Sequence, residues 1–147
     1  MIPEEIESWA SEIADDMKKQ YGLSVHNATP IDKGWLNVKW KMETDQGPVF
    51  VKFYHPARYK LHLHPERKAA IRKTLELQHG LHSAGVRCPG VHQQNNRFLQ
   101  ETSTGLHYAV LDWVDGYTMP AGSLSEAQMF DLGQNIGNMH KWLRSVQ

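Results

Sequence analysis

One lysine interrupts an otherwise apolar segment, "GPVFVKFYHP", which spans residues 47–56. An ammonium group is costly to bury without a partner because it loses its hydration. Two interpretations of this residue, Lys52, therefore stay open. Either its side chain points into water from an antiparallel strand, or it faces a negatively charged group. The second interpretation predicts an anion-binding site on one face of a sheet.

The nine histidines of the chain raise the question of a metal site. His62 and His64 are two residues apart, and His79 and His82 are three residues apart on a predicted helix. No cluster of cysteines or carboxylates completes a zinc-binding set, and the helical motif "HEXXH" is absent. The pattern therefore predicts surface histidines and no metal ligands.

The composition is that of a soluble globular domain. The chain has 147 residues, 40% of them apolar and 22% charged, with 16 basic and 16 acidic side chains. This length accommodates one domain, and the balanced charge does not favour nucleic acid or an anionic membrane as a partner. A single cysteine, Cys88, excludes an intrachain disulfide framework and suits a reducing compartment. We therefore expect a cytoplasmic location.

Hydrophobic periodicity indicates the elements that must position Lys52. Spacings of three and four predict helices over residues 3–20 and 65–83, and a third helix that begins after Ser125. A period of two predicts a β-hairpin over residues 38–54, around the turn "TDQG". Three short extended segments follow between residues 86 and 114. The fold class is therefore α+β.

Six short motifs follow one another in the region between residues 29 and 147. They are "KGWLN", "VKWKM", "VFVKFY", "LHSAGVRCP", "HYAVLDWVDG" and "LGQNIGNMHKWL". Their order and spacing resemble the N-terminal half of the aminoglycoside phosphotransferase and choline kinase-like family, which has a protein-kinase-like fold. The resemblance implies an N-terminal helical extension over residues 1–28 and a kinase-like N-lobe over 29–114. Residues 115–147 then form the hinge linker and the first helix of the C-lobe.

The resemblance assigns Lys52 to the α- and β-phosphates of ATP, where a compact ammonium with three donors fits well. A glutamate on the following helix orients this lysine in the family. The expected position falls on or near Thr74, which cannot form the ion pair, so Glu76 is the predicted partner and Glu66 the alternative. The phosphate-covering loop corresponds to residues 32–37, with Gly34 and Asn37 as candidate contacts.

The resemblance also predicts a hinge that binds adenine through its backbone. The groups involved are the carbonyl of Asp112 and the amide of Val114, with the Leu111 side chain beside the base. An ordinary core strand followed by a turn would show the same residues, because backbone atoms do the binding.

The residues that perform phosphoryl transfer in this family are not found after Gly116. These are an "H-G-D" loop with a following asparagine, and a further aspartate that holds Mg²⁺. The sequence therefore predicts the ATP-binding lobe of a small-molecule kinase that is inactive by itself, with Mg²⁺ ligands and the acceptor site in a further lobe. The alternative is a non-catalytic interaction module that dimerises or binds a partner through residues 125–143.

Overall fold

The structure is a computed structural model that describes residues 3–31 and 38–147. Gly34 and Asn37 lie outside the described residues. The elements, in chain order, are α1 (Pro3–Tyr21), β1 (Val25–Pro30), β2 (Lys39–Thr44), β3 (Gly47–Tyr54), α2 (Pro56–Tyr59), α3 (Pro65–Ser83), β4 (Gln100–Glu101), β5 (His107–Asp112) and α4 (Glu126–Ser145).

The described strands form one antiparallel sheet in the order β1-β2-β3-β5-β4. A two-residue turn joins β2 to β3, and Gly47 adopts a φ of +102°, which favours glycine. The turn is closed by the Thr44 hydroxyl, which donates to the Gly47 carbonyl over 2.6 Å. This turn sets the hairpin register, in which Lys39 pairs with Lys52 and Trp40 with Val51.

The two faces of the sheet carry separate apolar clusters. One face packs against α1, and its fully buried side chains include Ile13, Met17, Trp40 and Phe53. The other face packs against α3 and is covered by residues such as Leu75. Residues of β3 alternate between the two, because successive side chains of a strand point to opposite faces.

Helix α1 is part of the core. The Tyr108 hydroxyl of β5 donates to the Asp16 carboxylate over 2.6 Å in a buried position. β1, which follows α1, begins at Val25 and pairs with β2. The predicted domain boundary after residue 28 therefore falls inside a strand.

Helix α4 is attached to the end of α3 and to the loop that follows it. Gly80 permits the close approach, since a Cβ there would lie 2.5 Å from the Trp142 ring. Arg87 forms a bidentate ion pair with Asp131 at 2.7 and 2.8 Å. Its backbone also exchanges two hydrogen bonds with the Asn135 side chain, of 2.9 and 3.0 Å. These contacts fix α4 to the loop near residue 87.

Several predicted features are confirmed. The three long helices and the hairpin occupy the predicted positions, and Ser125 forms a capping box with Gln128. The short helix α2 was not predicted. It begins after His55, whose side chain accepts a hydrogen bond from the Ala57 amide. No helix in the described part of the chain is long and apolar enough to cross a membrane.

Because Ile13 is fully buried, we expect Ile13→Ala to lower the free energy of unfolding by about 2–4 kcal/mol in urea denaturation. The control is Ser11→Ala, at an exposed position of the same helix, which should change stability by less than about 0.5 kcal/mol. Equal, small effects of both substitutions would contradict an integral role of α1.

Candidate functional site

The described residues place Lys52 on the face of the sheet that packs against α3. Its neighbours on β3 at positions i−2 and i+2 are Phe50 and Tyr54, which both belong to the α3-side cluster. On β5 it lies opposite Ala109, another member of that cluster. The Lys52 Nζ atom lies 5.2 Å from the centroid of the Tyr54 ring. Lys52 is therefore partly buried among apolar side chains and does not extend freely into solvent.

The Lys52 ammonium forms no ion pair with a carboxylate of the described residues. Burial, and then the neighbouring positive charge of Lys39, lower the pKa of Lys52 below its usual value. Both causes disfavour the charged form. An anion bound at this position would oppose both effects and raise the pKa of Lys52, because an opposite charge favours the ammonium.

Two lysines of β2 share the α3-side face with Lys52. Lys39 lies directly opposite Lys52, and Lys41 lies opposite Phe50. Lys41 has local partners, since its Nζ atom lies 3.3 Å from Glu43 and 4.8 Å from the centroid of the Trp113 ring. Lys39 has no carboxylate partner in the ranges 3–31 and 38–147. Lys39 and Lys52 therefore form a like-charged pair.

The structure does not bring the predicted helix glutamate to Lys52. Glu76 is exposed and lines a small cavity beside the β4 edge of the sheet, together with Arg97 and Phe98. The carboxylate of Glu66, the alternative partner, lies 3.0 Å from the Nδ1 atom of His64. Thr74, at the position expected for the acid, donates its hydroxyl to the Ala70 carbonyl over 3.0 Å. The predicted Lys52–Glu76 ion pair is therefore not formed.

Leu111 lies on the same face as Lys52, at the end of β5 that leads to the hinge. It is buried in the α3-side cluster and lies opposite Phe50 of β3. Lys52 and Leu111 are diagonal neighbours on adjacent strands, because Lys52 pairs with Ala109 two residues earlier. An ammonium and an apolar surface thus lie side by side, as a ligand with an anionic and an apolar part would require.

The Asp112 carboxylate holds the end of β5 against the loop after α3. Its Oδ2 accepts from the Gly90 amide over 2.9 Å, and its Oδ1 lies 2.7 Å from His92 Nε2. The Asp112 amide donates to the Gly90 carbonyl over 2.9 Å. A Cβ at position 90 would lie 2.7 Å from Oδ2, so the contact requires glycine. The Asp112 side chain is thus occupied by contacts within the protein.

Val114 lies beyond β5 and is 63% exposed. Its side chain borders an apolar cavity of about 520 Å³, which is also lined by Val86, Cys88 and Pro89. Lys52 and Leu111 do not line this cavity. The cavity therefore lies between the loop after α3 and the segment that follows β5, apart from Lys52 and Leu111.

The described residues fit a nucleotide better than a metal ion. A cationic group, Lys52, and an apolar strand end, at Leu111, are present on one face. Within the ranges 3–31 and 38–147, however, no group of three or more His, Cys, Asp or Glu side chains could hold a metal ion. The residues present therefore do not form a Mg²⁺ site, and no step through Mg²⁺ is assigned to them.

Two features of the site were missed from the sequence. The alternation of side chains places Lys39 on the polar face of β2, but the alternation alone does not pair it with Lys52. The two-residue turn after Thr44 was the available signal, because counting outward from it brings positions 39 and 52 together. The bonds between Asp112, His92 and Gly90 span about twenty positions of chain, and no local pattern indicates them.

The sequence profile of the phosphotransferase enzyme family matches residues 27–147. Comparison with curated protein sequences gives no significant match. Among solved structures, the fold is similar to that of spectinomycin phosphotransferase, APH(9)-Ia, in complex with ADP and spectinomycin, with a TM-score of 0.64 and 13% sequence identity. The match covers 89% of this chain and 37% of that protein. The predicted family and the kinase-like α+β fold are therefore confirmed.

The contacts of Asp112 predict a pH dependence of stability. Burial alone would raise the pKa of Asp112, but the hydrogen bonds from His92 and from the Gly90 amide outweigh it and hold the pKa below its usual value. A lowered native pKa stabilises the fold above the unfolded pKa of about 4, and this contribution is lost as the pH falls through the native pKa. Asp112→Asn should therefore flatten the loss of stability between about pH 5 and pH 3.

The measurement is urea denaturation of the wild type and Asp112→Asn at several pH values. At pH 7 the variant should lose about 0.5–1 kcal/mol, because the carboxylate is partly exposed and solvent screens its interactions. Asp15→Asn, at an exposed position of α1, is the control and should follow the wild type. If the free energy of unfolding of Asp112→Asn changed with pH in parallel with that of the wild type, the lowered pKa of Asp112 in the native state would be contradicted.

Proposed function

Because the chain belongs to the phosphotransferase enzyme family, we propose that it forms the ATP-binding lobe of an ATP-dependent small-molecule kinase. The observation that carries the proposal is the position of Lys52. Its ammonium is partly buried on the α3-side face and has no carboxylate partner among the described residues. A bound polyphosphate supplies the missing negative charge.

In this proposal Lys52 donates hydrogen bonds to the α- and β-phosphates and holds the nucleotide for transfer of its γ-phosphoryl group. Positioning and charge stabilisation account for most of the catalysis in such transfers. Lys52 lies on a strand that is paired on both sides, so the backbone that carries its ammonium is fixed. A phosphate therefore meets a donor anchored at a defined position of the sheet.

The adenine ring binds at the end of β5. The carbonyl of Asp112 accepts from the exocyclic amino group, and the amide of Val114 donates to a ring nitrogen. The apolar side chains of Leu111 and Phe50, which lie opposite each other, contact the base. The bonds of the Asp112 carboxylate to Gly90 and His92 support this assignment, because they fix the peptide whose carbonyl is used.

The acceptor of the phosphoryl group is a hydroxyl-bearing small molecule, in keeping with the family. The chain spans 37% of the length of the spectinomycin phosphotransferase structure. We assign acceptor binding, Mg²⁺ ligation and proton transfer from the acceptor hydroxyl to protein outside these 147 residues. The isolated chain should therefore bind nucleotide without transferring phosphate.

A second candidate function is an interaction module, and the exposed side chains of α4 favour it. Phe130 is 74% exposed, and Met129, Leu132 and Ile136 are also exposed. Such a stripe is typical of a helix that packs against another surface. In this reading two copies of the chain associate through residues 125–143, and nucleotide binding is not required.

The two functions predict different results in a titration of the chain with Mg-ATP by calorimetry. The kinase-lobe proposal predicts saturable binding that Lys52→Ala weakens at least tenfold, since the main cation on the phosphates is lost. Lys73→Ala, at an exposed position of α3, removes the same charge away from the sheet and should change the affinity less than about twofold. Binding that is absent, or equally affected by both substitutions, would contradict the proposal.

Sedimentation velocity tests the interaction module directly. A concentration-dependent dimer that Phe130→Glu dissociates is expected if α4 is the interface, because a buried carboxylate is costly at an apolar contact. A monomer at all concentrations in both proteins would rule out self-association through this helix.

A further inference from the structure

We propose that Lys39 is a second polyphosphate-binding residue, and that the pair of Lys39 and Lys52 makes the site select ligands with three linked phosphates over shorter ones. This inference rests on the proposed nucleotide-binding function, and it adds a residue and a specificity to it.

The register of the hairpin places the two lysines together. Lys39 of β2 and Lys52 of β3 are directly paired, on the face that also carries Tyr54 and Phe50. The Cβ atoms of such a pair are about 4.5–5.5 Å apart. With Lys52 on two linked phosphates, the Lys39 ammonium, which starts from this separation on a flexible side chain, can contact the third.

A bound anion would stabilise the two positive charges of this pair. Like charges directly opposite each other destabilise a sheet, and both lysines are partly buried, which adds to the cost. No carboxylate of the described residues lies within 4.0 Å of either ammonium. Lys41 provides the contrast, because this third lysine of the same face is compensated by Glu43 and Trp113.

Two residues of α3 explain why Lys52 forms no ion pair with this helix. Thr74 occupies the position expected for an acid, and Glu76 faces the β4 edge of the sheet. No carboxylate of α3 forms an ion pair with either lysine, so none of them competes with the ligand for these ammonium groups. Each further phosphate therefore gains more attraction than it would beside a neutralised lysine.

The test measures the affinity of the chain for inorganic tripolyphosphate and pyrophosphate, which have no adenine. Lys39→Gln should weaken tripolyphosphate binding about five- to tenfold and pyrophosphate binding about two- to threefold, because the second cation mainly contacts the additional phosphate. The matched control is Lys41→Gln, which removes the same charge from the same strand and face. It should change both affinities by less than about twofold.

The outcomes separate this inference from the proposed function. If the wild type binds neither tripolyphosphate nor Mg-ATP, the proposed function fails. If Mg-ATP binds and Lys52→Ala weakens binding at least tenfold, but Lys39→Gln matches Lys41→Gln, only the role of Lys39 is overturned. An equal loss of tripolyphosphate and pyrophosphate affinity in Lys39→Gln would overturn the selectivity.

A second measurement needs no ligand and detects the pairing itself. NMR titration of the lysine side chains should show a higher pKa for Lys52 in Lys39→Gln than in the wild type, because a nearby positive charge has been removed. The pKa of Lys52 should stay unchanged in Lys41→Gln. An unchanged Lys52 pKa in folded Lys39→Gln would mean that the two ammonium groups do not interact, and would overturn the inference.

Discussion

The antiparallel register of β2, β3 and β5 is the constraint on which the rest of the structure depends. It pairs Lys52 with Lys39 on one side and with Ala109 on the other. A shift of one residue would move Lys52 to the α1-side face, among fully buried apolar side chains, where an unpaired ammonium could not be tolerated. The register therefore determines both which side chains form the core and on which face of the sheet the Lys52 ammonium lies.

The two faces of the sheet differ in their side chains. The α1-side face holds the largest fully buried side chains, among them Trp40, Phe53 and Tyr108. The α3-side face has a smaller apolar cluster and carries the lysines. Polar contacts hold the elements around the loop after α3, since Asp112 joins the end of β5 to this loop and Arg87, which lies in the loop, binds α4.

The sequence predicts the elements well because each has a local cause. Periodicity marks the three long helices, a capping box marks the start of α4, and alternation marks the hairpin. The sequence also identifies Lys52, since one charge in an apolar strand is conspicuous. It does not locate the partner of that charge, because the direction of Glu76 depends on how α3 is rotated against the sheet. The Asp112 contacts depend on tertiary structure in the same way.

The most direct test of the account is lysine side-chain NMR of the wild-type chain during titration with Mg-ATP. The account predicts that the Lys52 signal shifts saturably and that the pKa of Lys52 rises towards or above its usual value, since phosphate favours the ammonium. A Lys52 signal that does not move, while signals elsewhere report nucleotide binding, would contradict the claim that this residue meets the polyphosphate.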